Sequence, residues 1–236
     1  MITPAHKTAF AVNPTRLRTT RWLLRFLAET LFINPALKIE TTGQEKIPLT
    51  EPTIILFNHV TYFDPLLAGW ASKKRTAVPL SKIELMQNPP IALAAWAWGN
   101  VPIRRGAVDR AALKQAVALI NSDDILMISP EGHRNKDGLR NPAEGTALLA
   151  NQTSAVMVPI GISGTEHILA NLKQFKRTDI TINVGRLFKL KQGVTRKQYA
   201  KAADEMMYQI APLVAPELRG LYGDLSQTTM ETIEYV

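Results

Sequence analysis

His59 and Asp64 stand five residues apart, directly after the apolar run Thr53-Ile54-Ile55-Leu56-Phe57. An imidazole backed by a carboxylate can take a proton from a hydroxyl, the carboxylate fixing the tautomer and stabilising the imidazolium that forms. The same spacing also fits a plainer reading, in which His59 ends a strand and Asp64, followed by Pro65, caps a helix. Other polar groups recur where apolar runs stop: Arg104-Arg105 after Asn100–Ile103, and Glu131, Gly132 and Arg134 after Asp124–Ser129. In open α/β sheets ligands bind just beyond the carboxyl ends of parallel strands. Taken singly, the arginines could be solvated and Gly132 could serve only a turn. Together, a base, an acid, cations and a glycine from separate segments make a candidate site.

A strand–helix alternation must position these groups. Residues 53–57 read as a strand, Asp64 as the start of a helix, and 76–80 as the next strand. A helix interrupted at Pro89-Pro90 resumes over 91–98, and Asn100–Gly106 gives a short strand and turn. Asp109 caps a helix, 124–129 is a buried strand, and Asn141-Pro142 opens another helix. Residues 155–162 form a strand and 179–188 a later, half-exposed one. A helical region spans 195–219, broken at Pro212 or Pro216. The implied fold is α/β: a single domain with a mixed, largely parallel sheet flanked by helices, plus an N-terminal amphipathic helical appendage. Its divisions fall at 1–39 (a membrane-surface anchor), 40–219 (the catalytic domain) and 220–236 (a C-terminal tail).

The appendage carries Arg18, Arg21, Arg25 and Glu29 at helical spacing, with Leu23, Leu27 and Leu31 recurring every four residues beside Trp22 and Phe26. Two readings stand: a helix capping the domain with its arginines solvated, or an interfacial helix whose arginines meet anionic lipid. The chain of 236 residues has a net charge of +8, which favours anionic partners. Its longest apolar run, Ile91 to Trp98, is far below the roughly 20 residues a spanning helix needs. Membrane contact is therefore expected to be peripheral, at the cytoplasmic face.

Several chemistries find no support. The sequence has no cysteine, hence no disulfide, thiolate metal site or cysteine nucleophile. It lacks G-x-G-x-x-G, a P-loop and H-E-x-x-H, and Gly161-Ile162-Ser163-Gly164 is not a serine-hydrolase elbow. The four histidines show no metal-ligand spacing. No cofactor or metal is expected, and no nucleic-acid partner, since basic residues are not interleaved with aromatics.

Four blocks, in order, resemble those of the glycerolipid acyltransferases, the 1-acyl-glycerol-3-phosphate acyltransferase family. Asn58-His59-x4-Asp64 is similar to N-H-x4-D, and Gly99–Arg105 to G-x-x-F-I-x-R. Pro130-Glu131-Gly132-His133-Arg134 is similar to P-E-G-T-R, and Val158-Pro159-Ile160 with Gly164 to the last block. The resemblance spans about residues 40–190. It implies acyl transfer from a thioester, acyl-CoA or acyl carrier protein, to the free hydroxyl of a lysophospholipid, with 1-acylglycerol 3-phosphate the leading acceptor and an anionic membrane surface as partner. His59 and Asp64 would be the catalytic pair and Asn58 part of their block. Arg105 and Arg134 are candidates for a phosphate clamp, Lys82 for a further cation, and Glu131 and Gly132 for acceptor binding. Pro102 and His133 depart from the family pattern in acceptor-binding blocks. Another lysophospholipid, an aminolipid or a glycolipid is thus an alternative acceptor, and a catalytically idle membrane-binding module the alternative class.

Overall fold

Ile54, Ile55 and Leu56 are fully buried, as are Leu126 and Val158, because strands covered by helices on both faces are apolar throughout. The structure, a computed structural model, describes residues 14–104 and 109–236. Nine strands make its sheet: β1 (Leu37–Thr42), β2 (Thr53–Phe57), β3 (Ala77–Lys82), β4 (Val101–Ile103), β5 (Ile125–Ile128), β6 (Val156–Ser163), β7 (Thr178–Val184), β8 (Phe188–Leu190) and β9 (Ile233–Tyr235). The order is β1-β7-β6-β2-β5-β3-β4, with β8 pairing both β6 and β9. Strands β6, β2, β5, β3 and β4 run parallel, whereas β7 meets β6 antiparallel. The sheet is therefore mixed and largely parallel, and the carboxyl ends of those five strands share one edge.

The helices are α1 (Pro14–Ala28), α2 (Asn34–Ala36), α3 (Asp64–Ala71), α4 (Pro89–Trp98), α5 (Arg110–Ile120), α6 (Gly145–Thr153), α7 (Ile168–Lys173) and α8 (Tyr199–Ile210). One core layer packs α5, α6 and α8 against Ile54, Leu126 and Met157; the other packs α3 against Ile55, Met127 and Val158. Alternate residues of each central strand thus feed opposite layers.

Several expectations are corrected. Pro89 and Pro90 do not interrupt a helix: they occupy the first positions of α4, where a missing N–H costs nothing, and Asn88 caps it by accepting from Ile91 N. The helix expected at Asn141 starts at Gly145. Residues 179–188 form two strands, separated where Gly185 packs against Leu213 and Pro159. The segment 1–39 overlaps the sheet, because β1 begins at Leu37 and pairs with β7.

Residues 220–236, read as a tail, are built into the domain. Tyr222 and Ile233 are buried, β9 pairs with β8, and Glu205 of α8 fastens the segment. Its fully buried carboxylate accepts from Thr229 Oγ1 and Glu231 N (both 2.7 Å), Thr232 N (2.9 Å) and Thr232 Oγ1 (2.5 Å). Burial pushes this carboxyl up, but the hydrogen bonds outweigh it and hold it below the ordinary Glu value. A depressed carboxylate adds stability above its unfolded pKa, and that contribution is lost as pH falls through the folded value. Glu205→Gln turns an amide onto these donors and is expected to cost about 1–3 kcal/mol. Amide exchange at 233–235 should rise while that of β2 stays slow, and the stability gap to wild type should shrink in acid.

In the first helix, Arg21 and Arg25 depart from both sequence readings, which left the arginines solvated or facing lipid. Arg21 is buried, its Nε donating to Trp98 O (2.7 Å) and its Nη1 pairing with Asp124 (2.8 Å). Arg25 pairs with Glu29 at 2.9 Å and reaches the carbonyls of Trp70 and Ser72. The arginine face thus docks on the domain, and Trp22, Phe26 and Leu31 face outward, 65%, 51% and 72% exposed. Phe32 stacks on Phe63 at the far end, 5.3 Å between centroids, which brings the segment beside the loop after β2.

Candidate active site

Strand β2 ends at Phe57, and the next two residues are held by neighbouring strands. Asn58 is buried and spends its amide on one backbone: Nδ2 donates to Ile162 O and Oδ1 accepts from Ile162 N, both 2.8 Å. It extends the β2–β6 pairing past the last ladder bond. His59 is clamped by the loop after β5, its N–H donating to Glu131 Oε1 (3.4 Å) and its carbonyl accepting from Asn135 N (2.8 Å).

The chain then turns so that Asp64 faces back. Its carboxylate, fully buried, accepts through Oδ2 from His59 Nδ1 (3.0 Å) and from the N–H groups of Val60 and Thr61 (both 2.6 Å). Oδ1 accepts from Thr165 Oγ1 (2.6 Å) and Thr61 Oγ1 (3.2 Å). Asp64 is accordingly not a forward cap of α3, as expected from Asp-Pro; it caps the turn that precedes the helix. With Nδ1–H given to Asp64, the lone pair of His59 lies on Nε2. That atom has no partner among the described residues, and the side chain is 16% exposed. The geometry is that of a positioned base at the open edge of the sheet.

Glu131, expected to bind acceptor, is turned inward. Besides His59 N, it accepts from Asn135 Nδ2 and from Arg140 N (3.1 Å). Burial pushes its carboxyl above the ordinary Glu range, against those bonds. It braces the loop of residues 130–142 on His59. Gly132 has a φ of +72°, and a Cβ there would meet nothing within 4 Å, so the turn, not crowding, requires glycine. Arg134 lies over Tyr62, its guanidinium carbon 3.4 Å from the ring centroid, on the rim beside His59. Lys82 closes β3 at the same edge, with β5 between its strand and β2. Arg105 lies outside the described residues.

Two apolar cavities open near this edge, on opposite faces of the sheet. One, of about 440 Å³, lies beneath Ser129–His133 between Leu80, Ala116 and Leu149. The other, of about 260 Å³, lies between α1, α3 and α4, floored by Gly69 and Met127. Among the described residues no group of His, Asp or Glu could hold a metal ion.

The Acyltransferase family model matches residues 38–163, which contain Asn58, His59, Asp64, Glu131 and Arg134 but stop short of Thr165. The chain belongs to the acyltransferase family that its four blocks resemble. Curated relatives include the 1-acyl-sn-glycerol-3-phosphate acyltransferase alpha of Mus musculus, 30% identical over 54% of this chain and 46% of that one. The 1-acyl-sn-glycerol-3-phosphate acyltransferase of Borreliella burgdorferi is 27% identical over 56% and 53%. The chain spans about half the length of the curated relatives it matches. The crystal structure of the 1-acyl-sn-glycerophosphate (LPA) acyltransferase from Thermotoga maritima aligns with a TM-score of 0.60 over 91% of this chain and 81% of that one. At 17% identity, that likeness concerns the fold.

Within this candidate site, the sequence reading missed Thr61, Tyr62, Asn135 and Thr165. All four sit inside or next to the quoted blocks: Thr61 and Tyr62 lie in the x4 gap, Asn135 follows Arg134, and Thr165 follows Gly164. A small hydroxyl residue beside a motif glycine carried a usable signal; Asn135 carried none.

Proposed function

We propose that this protein is an O-acyltransferase that moves a fatty acyl group from an acyl thioester to the free hydroxyl of a lysophospholipid, with 1-acylglycerol 3-phosphate as acceptor. The observation that carries the reading is the His59–Asp64 pair, its Nε2 open at the sheet edge of an acyltransferase-family chain. The acceptor's O–H gives its proton to Nε2 as the oxygen attacks the thioester carbonyl. The tetrahedral species then collapses, breaking the C–S bond, and the imidazolium returns the proton to the departing thiolate. Asp64, anionic beside Nδ1–H, favours the imidazolium in between. Such a step needs neither a covalent acyl-enzyme nor a metal. The names of the curated relatives support the acceptor, and the two apolar cavities suit alkyl chains. The donor is coenzyme A or acyl carrier protein thioester.

Arg134, with Arg105, is assigned to the acceptor's phosphate. Tyr62 holds the guanidinium flat at the rim, where its outer edge suits a phosphate fork. Arg134→Ala should raise the acceptor KM on the order of tenfold or more, as loss of a charge-assisted bond of about 1.5–3 kcal/mol requires, with the thioester KM little changed. An equal loss on an acceptor lacking phosphate would remove the phosphate assignment.

The membrane surface is the partner, met by the outward face of α1 together with α4, where Leu93 and Trp96 are 65% and 50% exposed. Among the described residues no helix is long and apolar enough to cross a membrane. The deciding experiment for the activity offers labelled acyl thioesters and a panel of lyso-acceptors to the purified protein. Transfer to 1-acylglycerol 3-phosphate above the other acceptors is expected; transfer only to an aminolipid or glycolipid would replace the acceptor, and none at all would leave a membrane-binding module.

A further inference from the structure

We propose that Thr165 is a positioning residue for the His59–Asp64 pair, an inference that rests on the base role given to His59. Thr165 opens the short turn after β6 and is 1% exposed. Its hydroxyl donates to Asp64 Oδ1 at 2.6 Å, across 101 residues of sequence. Every other donor to Asp64 among the described residues belongs to residues 59–61, the same loop that the carboxylate must orient. Thr165 thus supplies the bond, among the described residues, that ties the carboxylate to the frame of the sheet and not to its own loop.

The turn that presents it is fixed. Gly164 has a φ of +94°, and a Cβ there would lie 2.3 Å from Asp179 O, so β7 sets the position of the next residue. Among the described residues Oδ1 is otherwise held only by Thr61 Oγ1 at 3.2 Å. Without Thr165 the carboxylate can rotate about its last bond, carrying Oδ2 off the line to Nδ1. The imidazole then loses both its tautomer bias and its fixed direction, and the reaction loses a near-attack geometry worth about 10²-fold per ångström of misplacement.

The test compares Thr165→Val, nearly the same shape without the donor, with Thr165→Ser, which keeps it. Thr165→Val should lower kcat at least about tenfold, the loss a fraction of an ångström would bring, while both KM values stay near wild type. Thr165→Ser should restore kcat to near wild type. The imidazole ¹⁵N resonances of His59, assigned against His59→Gln, should report a proton on Nδ1 in wild type and a tautomer mixture in Thr165→Val. Unchanged kcat, or a serine variant no better than valine, overturns the proposal. Should the wild type transfer no acyl group to any acceptor, the reading of the reaction fails instead, and the tautomer measurement alone decides the role of Thr165: an unshifted Nδ1 proton in Thr165→Val would overturn it.

Discussion

His59→Ala should lower acyl transfer about 10²- to 10⁴-fold, the usual contribution of a positioned general base, with the fold intact. The side chain makes little structure: one bond to Asp64 and an edge-on contact with Phe57, 5.8 Å between centroids. What anchors the position is backbone, the N–H on Glu131 and the carbonyl under Asn135, and alanine keeps both. Circular dichroism and melting should therefore change little while turnover collapses. Asp64→Asn should cost less, since three of the five groups around the carboxylate can still be met by an amide oxygen. Turnover above about a tenth of wild type in His59→Ala is incompatible with a base contributing 10²-fold or more, and the mechanism would have to be rebuilt.

The His59–Asp64 pair was legible in the sequence because its geometry is local. Six residues between the strand end at Phe57 and the helix start at Asp64 leave few ways to fold, and either plain reading of Asp64, cap or orienter, set its carboxylate beside that turn. The direction was not legible. Whether Asp64 reaches forward to α3 or back to Val60 and Thr61 depends on the position of β6, which delivers Thr165 from 101 residues away. Glu131 shows the same limit from the other side. A carboxylate in a loop after a strand reads as ligand-binding, yet its environment comes from His59 N, Asn135 and Arg140 N, and only the packed loop reveals that both oxygens are engaged. Asn58 is similar: its partner, Ile162, lies 104 residues on. Strands β2 to β6 were readable from apolar runs with turns after them, whereas β1 was not. The integration of 220–236 was not, because a three-residue strand and a buried Glu205 leave almost no periodic signal.

The outward face of α1 and of the helical turn that follows it, Glu29–Ile33, carries the other large expected effect. Its hydrophobic spacing was plain in the sequence, but which face meets the domain was decided by two arginines that find partners. Arg21 takes Asp124 and the carbonyl of Trp98, and Arg25 takes Glu29 and carbonyls around Ser72. Buried guanidinium groups require such bonds, so the arginines rather than the leucines became the inner face. Trp22, Phe26 and Leu31 remain in water, each roughly half or more exposed. Covering what is left of such side chains is worth about 1–2 kcal/mol apiece. Changing all three to Gln, which keeps helix propensity, should weaken partition onto liposomes by about 3–6 kcal/mol, on the order of 10²- to 10⁴-fold. Activity on bilayer lipid should fall with it, and activity on a short-chain, water-soluble acceptor should not. Of the arginines first supposed to carry the electrostatic part only Arg18 is exposed, and with exposed Lys73 and Lys74 it lines one basic recess beside Trp22 and Phe26. Gln at those three should cost about 1 kcal/mol per charge on anionic vesicles and nothing at high salt. Deleting residues 1–34 is the poorer test, because it also removes buried Ile33 and the Phe32–Phe63 stack. If the triple Gln variant of Trp22, Phe26 and Leu31 floats with liposomes as wild type does, α1 only covers the domain, and Leu93 and Trp96 of α4 become the surface to change next.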